Sequence, residues 1–362
     1  IDNGSSDNCT FTLSASKTSF TCADKGANTV ILTVTDASNN TATCSATVTV
    51  VDAIAPVAQC KNITVNLNSS GSATIAAADI DNGSSDNCTF TLSASKTSFT
   101  CADKGANTVI LTVTDASNNT ATCSATVTVV DAIAPVALCK SKTVYLGSNG
   151  TATITAADID NGSSDNCSFT LSASKTSFTC ADKGANTVIL TVTDASNNTA
   201  TCSATVTVVD AIAPVAQCKN ITVNLNSSGA ATIAASDIDN GSSDNCTFTL
   251  SASKTSFTCA DKGANTVILT VTDASNNTAT CSATVTVVDA IAPVALCKSK
   301  TVYLGSNGTA TITAADIDNG SSDNCSFTLS ASKTSFTCAD KGANTVILTV
   351  TDASNNTATC SA

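Results

Sequence analysis

The chain contains no histidine, methionine or tryptophan, and neither glutamate nor arginine occurs anywhere along it. Without histidine, Ser–His and Cys–His nucleophile systems are excluded. Without arginine, and with 16 scattered lysines against 28 aspartates, no cluster of positive charge exists to meet phosphates. A chain of net charge −12 therefore has no nucleic acid as a partner. Aromatics are 3% of the residues, so the core must be built from Val, Ile, Leu and Ala. No apolar run approaches the ~18 residues of a membrane span, and no membrane insertion is expected. From Ile1 onward no apolar leader is visible. Glycine-rich phosphate loops and nucleotide fingerprints are missing too. Paired carboxylates such as Asp79 and Asp81 exist, but they recur in every repeat. Near-identical repeats offer no unique walls for a catalytic pocket, so no enzyme is expected.

What the chain does have is a repeat. The stretch SDNCTFTLSASKTSFTCADKGANTVILTVTDASNNTATCSA, residues 85–125, returns almost letter for letter from Ser6, Ser164, Ser243 and Ser322. Cys9, Cys88 and Cys167 recur with a period of 79, and a fixed period of that size marks an array of one small module. The modules read as 1–53 (the C-terminal part of one), 54–132, 133–211, 212–290 and 291–362 (last strand incomplete), a window on a longer array. They alternate: QCKNITVNLNSSG opens two of them, and LCKSKTVYLGSNG opens the two that carry Tyr145 and Tyr303.

A module this small buries too little surface to be comfortable, and 19 cysteines are the obvious help. Four per module at fixed spacing indicate disulfides and an oxidising compartment. A zinc site is disfavoured, because no C-x-x-C pair occurs and Cys60, Cys88, Cys101 and Cys123 all stand far apart in sequence.

Within a module the hydrophobic period is two. Val109, Leu111 and Val113 alternate with Thr108, Thr112 and Thr114, and Cys123, Ala125, Val127 and Val129 alternate with Ser124, Thr126 and Thr128. DASNN between them reads as a turn, so the pair is a β-hairpin. TVNL, NSSG and SATIA, residues 64–76, read as an earlier hairpin, with FTL and SFTC as short strands between the two. This predicts an all-β sandwich of about seven strands. The linkers VVDAIAPVA hold the only prolines, Pro56, Pro135, Pro214 and Pro293, and make short semi-rigid joints, so an extended rod of restricted bending is expected. Modules that chain end to end need parallel first and last strands. That places Cys60, the turn at Asp115 and the loop DIDNGSSDN at one pole, facing the preceding module.

At this point the residues resemble a known family. Cys60, the Asp86-Asn87 pair and the run TVTDASNNTATC followed by ATVTVVD and AP look like the hyalin-repeat (HYR) module, an immunoglobulin-like sandwich. With SDNC and SFTC added, the pattern is similar to the tandem repeats of very long surface adhesins of Bacteroidetes, gliding adhesins among them. Asn118-Asn119 stands where that turn more often has Gly-Asn. The resemblance implies export to the cell surface and a role in adhesion or as a stalk, with no catalytic residues to carry over.

The expected bonds are Cys60–Cys123, which begin the parallel first and last strands and match the two cysteines of the simpler hyalin module, and Cys88–Cys101, which are in phase with inward Phe90 and Phe99. The equivalents are Cys139–Cys202 and Cys167–Cys180, Cys218–Cys281 and Cys246–Cys259, Cys297–Cys360 and Cys325–Cys338, and Cys9–Cys22 at the start. The alternative is that Cys101 sits at the far pole and reaches the next module. The same pole is expected to gather Asp52, Asp79, Asp81, Asn82, Asp86 and Asp115, with Asp131, Asp158, Asp160, Asp165 and Asp194 as equivalents at the next junction. Such oxygens suit calcium; the plainer use of loop aspartates is turn capping. The expected function is an extracellular, cell-surface stalk or filament segment whose partners are its own neighbouring modules. The alternative is that the repeats bind a surface glycan or join identical chains in a fibre.

Overall fold

The computed structural model describes all residues, 1–362. The chain gathers into two compact units, one of residues 1–140, 155–174 and 188–204, the other of residues 141–154, 175–187 and 205–362.

In the first unit, residues 54–132 give the fullest view of the repeat. Six strands form: Ile63–Asn66, Ser72–Thr74, Phe90–Ala94, Ser98–Thr100, Gly105–Asp115 and Thr120–Val130. One sheet holds the first, sixth, fifth and third in that order, and the second pairs with the fourth in another. The fifth and sixth make the long hairpin, in register from Gly105↔Val129 to Thr114↔Thr120. Its turn is closed by Asp115 N–H to Asn119 O at 3.1 Å, with Asn118 at φ 67, a conformation Asn tolerates better than most side chains. The first strand lies parallel to the sixth, Ile63↔Val127 to Asn66↔Val130, so the first and last strands run the same way.

The expected early hairpin does not form. Ile63–Asn66 and Ser72–Thr74 belong to different sheets, and the chain between them is a β-arch. Asn68 O and Ser72 O accept bonds that close the turn, but Gly71 at φ 72 swings the backbone across the core instead of back along the same sheet. Before the first strand, Val57 and Cys60 form isolated bridges with Ser85 and Asp81. This break between Cys60 and Ile63 is the kink that their mismatched phase requires.

Alternation decides what is inside. Val109, Leu111 and Val113 on the fifth strand and Ala125, Val127 and Val129 on the sixth are buried, while the threonines between them face outward. Phe99 and Ile75 close the core from the small sheet, with Ile80 and Leu67 at its ends. Fully burying side chains of this size contributes roughly 1.5–3 kcal/mol each. The same alternation carries two acids inward: Asp115 and Asp131 continue the buried phases of their strands and are each only 4% exposed.

In the second unit, residues 212–290 repeat the arrangement. The strand Ile221–Asn224 is parallel to Thr278–Val288, and the core is Leu225, Ile233, Phe257, Val267, Leu269 and their neighbours. Residues 133–211 carry the same strand order, and residues 291–362 keep the small sheet and a three-stranded large one. In residues 54–132 and 212–290, two sheets closing over one core, with the parallel first–last pair, make an immunoglobulin-like β-sandwich. No helix is long and apolar enough to cross a membrane.

Candidate metal site and covalent clasp at the module junctions

In every repeat from residue 54 onward one bond joins the two ends of the repeat: Cys60–Cys123, Cys139–Cys202, Cys218–Cys281 and Cys297–Cys360, with Cα atoms 5.8–5.9 Å apart. The second expected bond, Cys88–Cys101, does not exist. Cys101 is bonded to Cys167 of the following repeat, Cys88 to Cys22 of the preceding one, and Cys180–Cys246 and Cys259–Cys325 continue the series. The expected Cys167–Cys180 and Cys246–Cys259 bonds are replaced in the same way. Cys9, Cys44 and Cys338 are free and exposed, so the expected Cys9–Cys22 and Cys325–Cys338 bonds are absent too.

The reason is position along the strands rather than the face they present. Phe90 pairs with Asp115, which places Cys88 beside the hairpin turn at the entry pole. Thr100 pairs with Ser72, which places Cys101 beside the Gly71 arch at the exit pole. The two cysteines therefore sit at opposite ends of the sandwich.

Around the Cys101–Cys167 bond the polar groups interlock. Asn166 Nδ2 donates to Asp131 Oδ1 at 3.1 Å and to Asn68 O at 3.2 Å. Asn198 Nδ2 donates to Asp131 O at 3.1 Å and Ile133 O at 3.3 Å. Lys104 Nζ reaches Ala195 O and, at 3.0 Å, Ser196 Oγ. In the second unit, Asn324, Asn356 and Lys262 repeat these contacts around Cys259–Cys325.

Three of the five predicted acid positions meet here. Carboxylate oxygens of Asp131, Asp165 and Asp194 lie within 4.8 Å of one another, as do those of Asp210, Asp244 and Asp273, and of Asp289, Asp323 and Asp352. At the first junction Asp52 and Asp86 come together, with the Cys88 sulfur in place of the third acid and committed to a disulfide. Asp194 is 4% exposed. Burial opposes its ionisation, but bonds from the Asn198 side chain and amide and from the Ser196 amide outweigh that and hold its carboxyl below the usual range.

The remaining predicted ligands are occupied elsewhere. Asp79 accepts the Ala76 amide at 2.7 Å and caps a short 3₁₀ helix, and Asp158 accepts the Thr155 amide at 2.8 Å at the start of a single α-helical turn. Asp81 accepts the Ser84 hydroxyl at 2.5 Å, and Asp160 accepts the Ser163 amide at 3.0 Å. Asn82 is engaged through its backbone N–H to Gln59 O. The four aspartates thus cap their own turns.

The cluster is short of donors. Asp165 Oδ1 and Asn166 Oδ1 are buried with no hydrogen-bond partner, as are Asp244 Oδ1, Asn245 Oδ1, Asp323 Oδ1 and Asn324 Oδ1. Asp289, 4% exposed, adds an unpartnered Oδ2. Buried oxygens are ordinarily bonded, so the same orphans at three successive junctions are an unmet need for positive charge or a donor. Sequence reasoning missed Asn166, Asn198, Lys104 and Gly71. Asn166 was legible only as the third letter of SDNC, and Lys104 carried no signal.

No family model matches the chain, and no curated protein matches it in sequence. Among solved structures it is similar to the protocadherin γB4 extracellular domain, at 15% identity, covering 98% of this chain and 77% of that one with a TM-score of 0.28. Against Drosophila N-cadherin EC1-4 the figures are 11%, 73%, 84% and 0.27. Against titin domains I67-I69 they are 10%, 73%, 93% and 0.31. At these scores the likeness adds nothing to what the strands themselves define.

Proposed function

We propose that this chain is a length of an extracellular, cell-surface stalk or filament, divided into the modules 54–132, 133–211, 212–290 and 291–362 with part of another at 1–53. Its partners are its own neighbouring modules, and its work is mechanical. The observation that carries this reading is the cystine joining each repeat to the next, Cys22–Cys88 through Cys259–Cys325. A bond that ties copies together serves continuity, not a binding pocket, and it persists only in an oxidising compartment. The resemblance to hyalin-type repeats of surface adhesins points the same way. Immunogold labelling of unpermeabilised cells tests it: the reading expects label on filaments or projections outside the envelope. Label confined to the cytoplasm, with the cysteines free, overturns it.

Calcium is part of the same proposal. Asp131, Asp165 and Asp194 with the Asn166 side-chain oxygen form a hard-oxygen set that recurs at the next two junctions, and oxygens within 4.8 Å of one another can share an ion that binds at roughly 2.3–2.6 Å. An ion there would answer the unpartnered oxygens and the mutual repulsion of three carboxylates. Calcium at roughly 100 times its dissociation constant should stabilise by about 2.7 kcal/mol per site. Identical melting in excess calcium and in excess chelator leaves turn capping as the whole role of these acids.

A further inference from the structure

The cystine pattern decides where a pulling force travels. The short segment from Cys88 to Cys101 ends on a direct bond to Cys167, and the equally short segment from Cys167 to Cys180 ends on the bond to Cys246. The series continues through Cys259–Cys325. A covalent route therefore runs through the array using only this small part of each repeat. A second route uses the other bonds. Cys60–Cys123 is followed by the linker from Cys123 to Cys139, then Cys139–Cys202, Cys218–Cys281 and Cys297–Cys360 in the same rhythm.

We propose that these two routes make the array a two-ply covalent cable whose extension is capped whether or not its sandwiches stay folded. An extended residue spans at most ~3.3–3.6 Å. The first route then measures roughly 50 Å per repeat, including the 5.7 Å between the Cα atoms of Cys101 and Cys167. The second measures roughly 60 Å, and the bare backbone of a repeat roughly 270 Å. Unfolding an oxidised repeat frees residues that lie off the loaded path, so almost none of that length reaches the ends. Each ply alone maintains the cap, because either can carry the load past a break in the other. The inference rests on the pairing of the cysteines and not on the stalk reading. It stands or falls separately from where the protein is found.

Single-molecule pulling on the whole chain, held at its two ends, tests it. The oxidised chain should reach a limit of roughly 330 Å, and the same chain in a phosphine reductant roughly 1,200 Å, with a release of about 200 Å per unfolding repeat. Replacing one pair, Cys101→Ser with Cys167→Ser, should lengthen the oxidised limit by only about 30 Å, because the load moves to the second ply. Replacing Cys139→Ser and Cys202→Ser as well removes both plies at one place and should release about 200 Å. These limits are set by covalent connections, so they hold even where a variant repeat does not refold. An oxidised wild-type chain that lengthens in the large steps of the reduced one overturns the proposal. So does a one-pair variant that lengthens as much as the two-pair variant.

Discussion

Gly71, Gly150 and Gly229 sit in the arch beneath the cross-junction cystines, and replacing them with alanine separates two costs that usually come together. All three have positive φ, between 71° and 73°. A Cβ at Gly71 would lie 2.5 Å from Asn166 O of the next repeat and 2.7 Å from Cys101 Sγ. At Gly229 the corresponding distances are 2.5 Å to Asn324 O and 2.7 Å to Cys259 Sγ. Gly83, Gly162 and Gly241 also have positive φ, but a Cβ there would meet nothing within 4 Å. Alanine at either set costs roughly 1–2 kcal/mol for a left-handed backbone. Only the first set must also move a carbonyl, since a carbon and an oxygen rest in contact at about 3.3 Å or more. Overpacking of that kind costs roughly 1–3 kcal/mol. The triple variant Gly71→Ala, Gly150→Ala, Gly229→Ala should therefore lose about 2 kcal/mol more per repeat than Gly83→Ala, Gly162→Ala, Gly241→Ala. For a unit of roughly 60–100 residues that is a difference of roughly 8–16 °C in Tm by calorimetry. Hydrogen exchange should rise at Asn166 and Asn198 in the first variant and not in the second. Equal Tm losses in the two variants would refute the close packing of Gly71 against the following repeat.

Removing the in-module staple, Cys60→Ser with Cys123→Ser, should destabilise residues 54–132 by about 4 kcal/mol in the chain-entropy account, measured by denaturant melts. Phe99 is fully buried, and Phe99→Ala should cost about 3–5 kcal/mol in the same assay. Asp103, Asp182 and Asp261 are held below the ordinary 3.8 by their lysine partners, Lys96, Lys175 and Lys254, and by the amides they cap. Asp316 is lowered to about 2 by the Thr313 amide and Lys300. A depressed carboxyl lends stability above its unfolded pKa and loses it as pH falls through the folded one, so Tm should hold steady down to about pH 4 and drop between about pH 4 and 2. Asp103→Asn, Asp182→Asn and Asp261→Asn together should flatten that acid limb.

The sandwich was legible because a period of two says which face of a strand is buried, and the threonine–valine alternation is clean from Thr108 to Val129. The parallel first and last strands followed from the need to chain modules. What the pattern does not encode is how far along the sandwich a residue sits. Cys88 and Cys101 are both in phase with inward phenylalanines, yet one lies beside Asp115 and the other beside Ser72, at opposite poles. The arch at Gly71 was misread for the same reason. Asn-Ser-Ser-Gly closes a tight turn in either case, and only the pairing partners, Val127 to Val130 for one strand and Ser98 to Thr100 for the other, separate an arch from a hairpin. In the acid cluster, Asp115 and Asp131 carried a usable signal, since both continue a buried phase. Asp79 and Asp81 carried only proximity in sequence, and their own turns claimed them.

The cystine loops overlap like roof shingles. Residues 22–88, 60–123, 101–167, 139–202, 180–246, 218–281, 259–325 and 297–360 each begin inside the one before. Every peptide bond between Cys22 and Cys360 is therefore spanned by at least one disulfide. A protease that nicks this protein once between Cys22 and Cys360, in a linker or in a loop, leaves a molecule still in one piece, and it comes apart only when a thiol or a second cut in the right place follows. Exposed loops are where proteases normally begin, and here the first cut there severs nothing.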